Sequence, residues 1–115
     1  MGIGAKDHDS VKTYSGVVGG TAVEVTDEPD SLIYGIYIYN GTAAVAFLQI
    51  FDADSANVIV GTTAPTRVLE VGIGVGLSIM FPKPIRHTVG FTIASTTTRT
   101  GLTAASQDVN ILYMD

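Results

Sequence analysis

The stretch from Leu32 to Asp52 constrains the fold of this chain more than any other. Two apolar segments flank the dipeptide Asn40-Gly41. That dipeptide is typical of a two-residue type I′ turn, because both central positions of such a turn need a positive φ. The sequence therefore predicts a β-hairpin whose turn lies at Asn40-Gly41.

Both faces of this predicted hairpin are apolar. One face carries bulky side chains that we expect in the core: Leu32, Tyr34, Ile36, Ile38, Val45 and Phe47. The other face is smaller and rich in tyrosine: Ile33, Gly35, Tyr37, Tyr39, Ala44, Ala46 and Leu48. A two-layer sandwich covers only one face of each sheet, so the second face needs another cover. We therefore predict that these seven residues form a subunit interface, and we expect a homo-oligomer, a trimer in particular.

Composition is that of a single globular β-domain. The chain has 115 residues, of which 46% are apolar and 15% charged, and this balance excludes a disordered chain. Thirteen glycines and four prolines, together with abundant Thr and Val, favour strands and turns over helices. There is no cysteine, so the fold depends on packing without disulfides.

Charge and hydropathy bear on the partners. The net charge is −5 and the six basic residues are scattered, which argues against nucleic acid as a partner. The first ten residues lack the charged and apolar regions of a signal peptide. The longest apolar run, Ala43 to Leu48, is far too short to span a membrane. We expect neither a nucleic-acid nor a membrane partner.

The remaining sequence predicts short strands separated by turns. Residues 1–20 are glycine-rich without a sustained period, and we expect an N-terminal arm there, with a short strand at 11–14. Further strands are predicted at 22–26, 58–60, 67–71, 76–81, 87–94 and 109–114, and a Thr-rich loop at 95–108. The predicted fold is an all-β, antiparallel, jelly-roll-like sandwich over residues 21–115, preceded by the arm.

No segment carries a convincing catalytic or ligand-binding motif. The glycines of 72–76 join two predicted strands, whereas a nucleotide-binding loop leads into a helix. The acidic segment 52–57 lacks the later ligands of a calcium loop. The two histidines, His8 and His87, have no second ligand at metal or catalytic spacing. We expect no catalytic residue, no cofactor and no metal.

Four segments taken together resemble a known group of proteins. They are 36–53 (IYIYNGTAAVAFLQIFDA), 60–71 (VGTTAPTRVLEV), 81–96 (FPKPIRHTVGFTIAST) and 109–115 (VNILYMD). In this order they are similar to the small β-sandwich virion structural proteins of tailed bacteriophages, of the head decoration or cement type. The resemblance covers about residues 33 to 115 and rests on the succession of segments rather than on any one of them.

The resemblance implies a role in the virion and transfers no catalytic residues. We expect the protein to bind the major capsid protein on the head exterior and to stiffen the shell, after assembly in the host cytoplasm. A tail, baseplate or fibre-tip module that binds a host surface glycan is the alternative. Exposed tyrosines and the loop at 95–108 would have to supply its binding site, since the chain has no tryptophan.

Overall fold

The computed structural model describes residues 11–115, which form two antiparallel β-sheets packed face to face. Its strands are β1 (Lys12–Val18), β2 (Val23–Thr26), β3 (Ser31–Tyr39), β4 (Ala46–Phe51), β5 (Arg67–Val71), β6 (Gly76–His87), β7 (Phe91–Thr96) and β8 (Gln107–Met114). A 3₁₀ turn, Ser55–Asn57, follows β4. No helix within the described range has the length and apolarity to cross a bilayer.

The strand order is that of an eight-stranded jelly roll. The first sheet runs β1-β8-β3-β6 and the second β2-β7-β4-β5, and every paired strand is antiparallel. The chain changes sheet at each connection except the one between β4 and β5. The predicted all-β, jelly-roll-like sandwich is confirmed.

The predicted hairpin at Asn40-Gly41 is wrong. β3 and β4 lie in opposite sheets, and neither residue of the dipeptide has the positive φ that a type I′ turn requires. The fully buried Asn40 instead closes an arch between the sheets through its side chain. Its Nδ2 lies 2.8 Å from the carbonyl oxygen of Ala44 and 3.1 Å from those of Val71 and Gly72. The amide thus donates to backbone carbonyls before the start of β4 and at the end of β5, and so ties the two segments together.

The core lies between the sheets, and a bulge in β3 decides which residues enter it. The ladders of β3 with β6 and β8 both shift between Ile33 and Gly35. The extra residue reverses the alternation, so Ile33, Ile36 and Ile38 all point inward. The buried residues that form this core include Val18, Ile33, Ile36, Ile38, Leu48, Ile50, Val71, Phe91, Ile93, Val109 and Ile111.

The predicted arm does not extend to residue 20. β1 pairs along its whole length with β8, so residues 12–18 are an edge strand of the sandwich. The segment 1–10, which includes His8, lies outside the described residues. β1 is stabilised by ladder hydrogen bonds from the other end of the chain, a contact that no local pattern in the sequence reveals.

Two other strand boundaries also differ from the prediction. Residues 58–60 form no strand. β6 continues through Pro82 and Pro84 to His87, whereas the predicted strand ended at residue 81. Its register with β3 jumps between Met80 and Ile85, so both prolines fall where no ladder pairing is required.

Candidate interaction surface

The structure separates the seven residues that were predicted to form one interface. Three of them, Ile33, Ala46 and Leu48, are at most 1% exposed and lie between the sheets. Ala44 is exposed in the connection that follows β3. Gly35, Tyr37 and Tyr39 remain together on the outer surface of the first sheet. The prediction of one seven-residue face is wrong because the alternating residues of β4 face across the sandwich and do not pair with β3.

We call the outer surface of the first sheet the open face. Directly opposed residues in neighbouring strands share a face, and Tyr37 lies between Ser78 and Asn110. Val17 is 67% exposed, Met80 63%, Tyr37 45% and Tyr39 40%. The apolar members of the open face include Val17, Tyr37, Tyr39, Met80 and Leu112, and the others include Thr13, Ser15, Gly35, Ser78, Asp108 and Asn110.

Two shallow hollows flank Tyr37 on the open face. One, of about 640 Å³, lies over β1, β8 and β3 and is also lined by Val17 and Tyr39. The other, of about 280 Å³, lies over β3, β6 and β8. Gly35 lines the second hollow, and a Cβ at this position would stand 2.5 Å from the sulfur of Met80. The Met80 thioether thus rests directly on the β3 backbone and leaves a surface of low relief around Tyr37.

The open face carries little charge for a protein of net charge −5. Asp108 is the one carboxylate among the residues named above, and Arg86, which opposes Leu32 near the end of the sheet, is paired with Asp30. At one end of the sheet, Lys12 and Asp115 form an ion pair of 2.6 Å, and the hydrogen bond between them raises the pKa of the Lys12 ammonium. Two copies of the chain could therefore approach through this face with little like-charge repulsion.

Among the strands that the structure describes, β1 borders the open face with an edge that lacks the usual protective features. Edge strands commonly avoid unwanted pairing through prolines, charges, bulges or short length. The opposite edge, β6, contains Pro82 and Pro84; β5 has five residues, two of them charged; and β2 has four residues and an irregular register. β1 is seven residues long, regular and free of proline, and its only charged residue is Lys12. It is the sheet edge best suited to pair with another strand.

The outer surface of the second sheet is covered by loops of the same chain. Phe51 is 1% exposed and packs with Ala94 and with Val58 from the connection between β4 and β5. Gln49 Nε2 donates to Thr96 Oγ1 at 2.8 Å and to the carbonyl oxygen of Gly101 at 2.9 Å. The Thr-rich loop that joins β7 to β8 therefore covers part of the outer surface of this sheet.

Asp52 links the segment that follows β4 to the turn between β6 and β7. Its carboxylate accepts hydrogen bonds from the backbone N–H groups of Thr88, Val89 and Gly90, at 2.9 to 3.2 Å. Burial acts to raise the pKa of this carboxyl, but the hydrogen bonds outweigh it and lower the pKa. Asp52 thus holds the turn between β6 and β7. Among residues 11–115, no group of three or more acidic or histidine side chains is placed to hold a metal.

Most residues of the open face were not predicted from the sequence. Its strands come from residues 12–18, 31–39, 76–87 and 107–114, so no single window contains it. The alternation of Thr13, Ser15 and Val17 is a local signal that could have placed β1 in the sheet. It lay inside the segment that we interpreted as an arm.

Comparison with known proteins gives a limited result. No protein-family model and no curated protein matches this chain. A solved structure described as "Cyanophage Pam1 capsid asymmetric unit" is similar, with a TM-score of 0.37 and 17% sequence identity over 96% of this chain and 90% of that one. A similarity at this level does not establish a shared function.

Proposed function

We propose that this chain is a structural protein of a tailed-bacteriophage virion. In more detail, we propose a decoration or cement protein that binds the head exterior as a homo-oligomer, in contact with the major capsid protein, and has no catalytic role. The order of its four characteristic segments supports the phage assignment, and the jelly-roll sandwich is compatible with it.

The observation that carries the proposal is the open face. Val17, Tyr37, Tyr39 and Met80 leave 40% or more of their surface exposed on one side of one sheet. Several exposed apolar side chains grouped on one face of a small domain are typical of a protein–protein contact. Aromatic residues and methionine are also enriched at the centres of such contacts. We therefore assign the self-interface to this face.

Stabilisation of a shell requires only modest contacts at each site. Burial of apolar surface contributes about 25 cal/mol per Å². A homo-oligomer presents several identical capsid-binding sites at once, so its avidity can exceed the affinity of one subunit by orders of magnitude. In this mechanism, many weak contacts spread over the shell resist the pressure of the packaged DNA.

The test is the number of copies in intact virions. Quantitative mass spectrometry against the major capsid protein should find hundreds of copies, all removable without loss of the tail. The purified protein should then bind heads that lack it and raise the temperature at which they release DNA. A handful of copies that stay with isolated tails would contradict the decoration role.

A tail or fibre-tip module that binds a host glycan is a second candidate. Tyr37 and Tyr39 are neighbours on one face and are 45% and 40% exposed, which is the kind of aromatic platform that such a module needs. Copy number separates the two functions, and binding to host cells by the isolated protein would favour the second.

A further inference from the structure

A deep cleft enters the sandwich on the side where β5 and β6 are the outer strands. Its volume is about 340 Å³, within the range of small-molecule sites. The walls are mainly aliphatic and aromatic side chains from both sheets: Ile33, Ile36, Ile50, Phe81, Ile85 and Phe91.

Arg67 lies at this cleft, and within residues 11–115 it has no anionic partner. It opposes Ile50 in the ladder of β4 and β5, and Ile50 faces the core, so the arginine stem starts on the inner face of the second sheet. The residue is exposed, which places its guanidinium at the mouth. Three other cationic side chains have partners: Lys12 pairs with Asp115, Arg86 pairs with Asp30, and Arg99 lies over the ring of Phe47.

His87 supplies a second polar group, on the opposite wall. It is 3% exposed, and its ring packs on Phe91 with the centroids 4.8 Å apart. Its Nδ1 is buried and has no hydrogen-bond partner in the described part of the chain, although such atoms are nearly always paired. Burial lowers the pKa of the imidazole, and the charge of the nearby Arg67 lowers it further while Asp52 opposes this. The ring is therefore neutral at pH 7 and can present an N–H at Nδ1.

We propose that this cleft binds a medium-chain carboxylate, with its alkyl chain between the sheets and its carboxylate held by Arg67 and by the N–H of His87. The apolar walls fit an alkyl chain, and the unpaired guanidinium fits an anionic head. Taking about 30 Å³ for each non-hydrogen atom, as for a water molecule, the cleft holds roughly eleven such atoms. Decanoate has ten carbons and two oxygens, so with both oxygens outside the apolar part, at the mouth beside Arg67, its ten carbons fit the cleft.

Isothermal titration calorimetry with decanoate, below its micelle concentration, tests the proposal on the full chain. We expect one saturable site. 1-Decanol, which has the same chain without the charge, should bind about tenfold more weakly, because a hydrogen bond to a charged group contributes about 1.5–3 kcal/mol. Butyrate, which keeps the charge but fills little of the cleft, should show no binding.

Two matched variants locate the site. Arg67→Gln should weaken decanoate about tenfold and leave 1-decanol unchanged. Arg99→Gln, which removes an arginine on the outer side of the same sheet, should change neither ligand. NMR of the unaltered protein gives an independent measurement, in which nuclear Overhauser contacts should join the decanoate methylenes to Ile36 and Ile85.

Arg67 has a simpler explanation if its inward charge only discourages edge pairing of β5. In that case decanoate shows no saturable site, or binds no better than 1-decanol and equally well to Arg67→Gln. Either result would overturn the proposal. Both results are obtained with the isolated protein, so they do not depend on whether the proposed virion role is correct.

Discussion

The outer surfaces of the two sheets differ, although both carry large apolar side chains. On the second sheet, Phe51 and Gln49 lie under the connections that follow β4 and β7, and both are at most 1% exposed. On the first sheet, Tyr37 and Met80 point outward and keep 45% and 63% of their surface exposed. The outer surface of the second sheet is thus covered by loops of the same chain, whereas the outer surface of the first sheet is exposed to solvent.

This difference indicates which sheet surface needs a partner. Within the described chain, the apolar residues of β4 are buried on both faces apart from the half-buried Phe47, so its composition calls for no second subunit. β3 presents Tyr37 and Tyr39 to solvent, and its neighbours extend that surface across four strands. A subunit interface is therefore expected on the outer surface of the first sheet alone.

The largest expected effect comes from truncating the covered face. Phe51→Ala should lower the free energy of unfolding by about 3–5 kcal/mol, because it leaves a cavity beneath the loops. Urea denaturation measures this loss, which should be the same at every protein concentration. Tyr37→Ala is the matched variant, and its loss should grow with concentration because an oligomer gains stability by mass action. Equal, concentration-independent losses would contradict the distinction between the faces.

The arch at Asn40 gives the next effect. Asn40→Ala should cost about 2–3 kcal/mol, because it leaves buried carbonyls of Val71 and its neighbours without a donor. Gly41→Ala is the control and should cost less than about 1 kcal/mol, since the residue is exposed and has no positive φ. A type I′ hairpin would show the reverse order in denaturation midpoints.

Protonation of His87 should give a smaller, pH-dependent effect. Its pKa is lowered in the folded state, so the unfolded chain binds the proton more readily. Stability should therefore be fully present above the ordinary histidine pKa of about 6.5 and fall as the pH drops below it. Denaturation between about pH 5 and 7 measures the slope, which His87→Gln should reduce. An unchanged slope in that variant would assign the titration to another group.

The sequence predicted the fold class because the signal for it is local. The alternation in Val109 and Ile111 and the run at 67–71 correspond to β8 and β5. Asn40 failed as a predictor because asparagine serves both a tight turn and a side-chain-capped arch, and only the partner carbonyls distinguish them. The open face could not be predicted, since tertiary pairing of β1 with β8 creates it from opposite ends of the chain.

The molar mass in solution tests most directly whether the open face is the self-interface. Light scattering at micromolar concentration should give a multiple of the 12.0 kDa subunit mass, and we expect three subunits. Tyr37→Lys should give a 12.0 kDa monomer with unchanged circular dichroism. Ile59→Lys, at a side chain that is 65% exposed away from this face, should leave the oligomer intact. A monomeric wild-type protein, or an oligomer that survives Tyr37→Lys unchanged, would contradict the assignment.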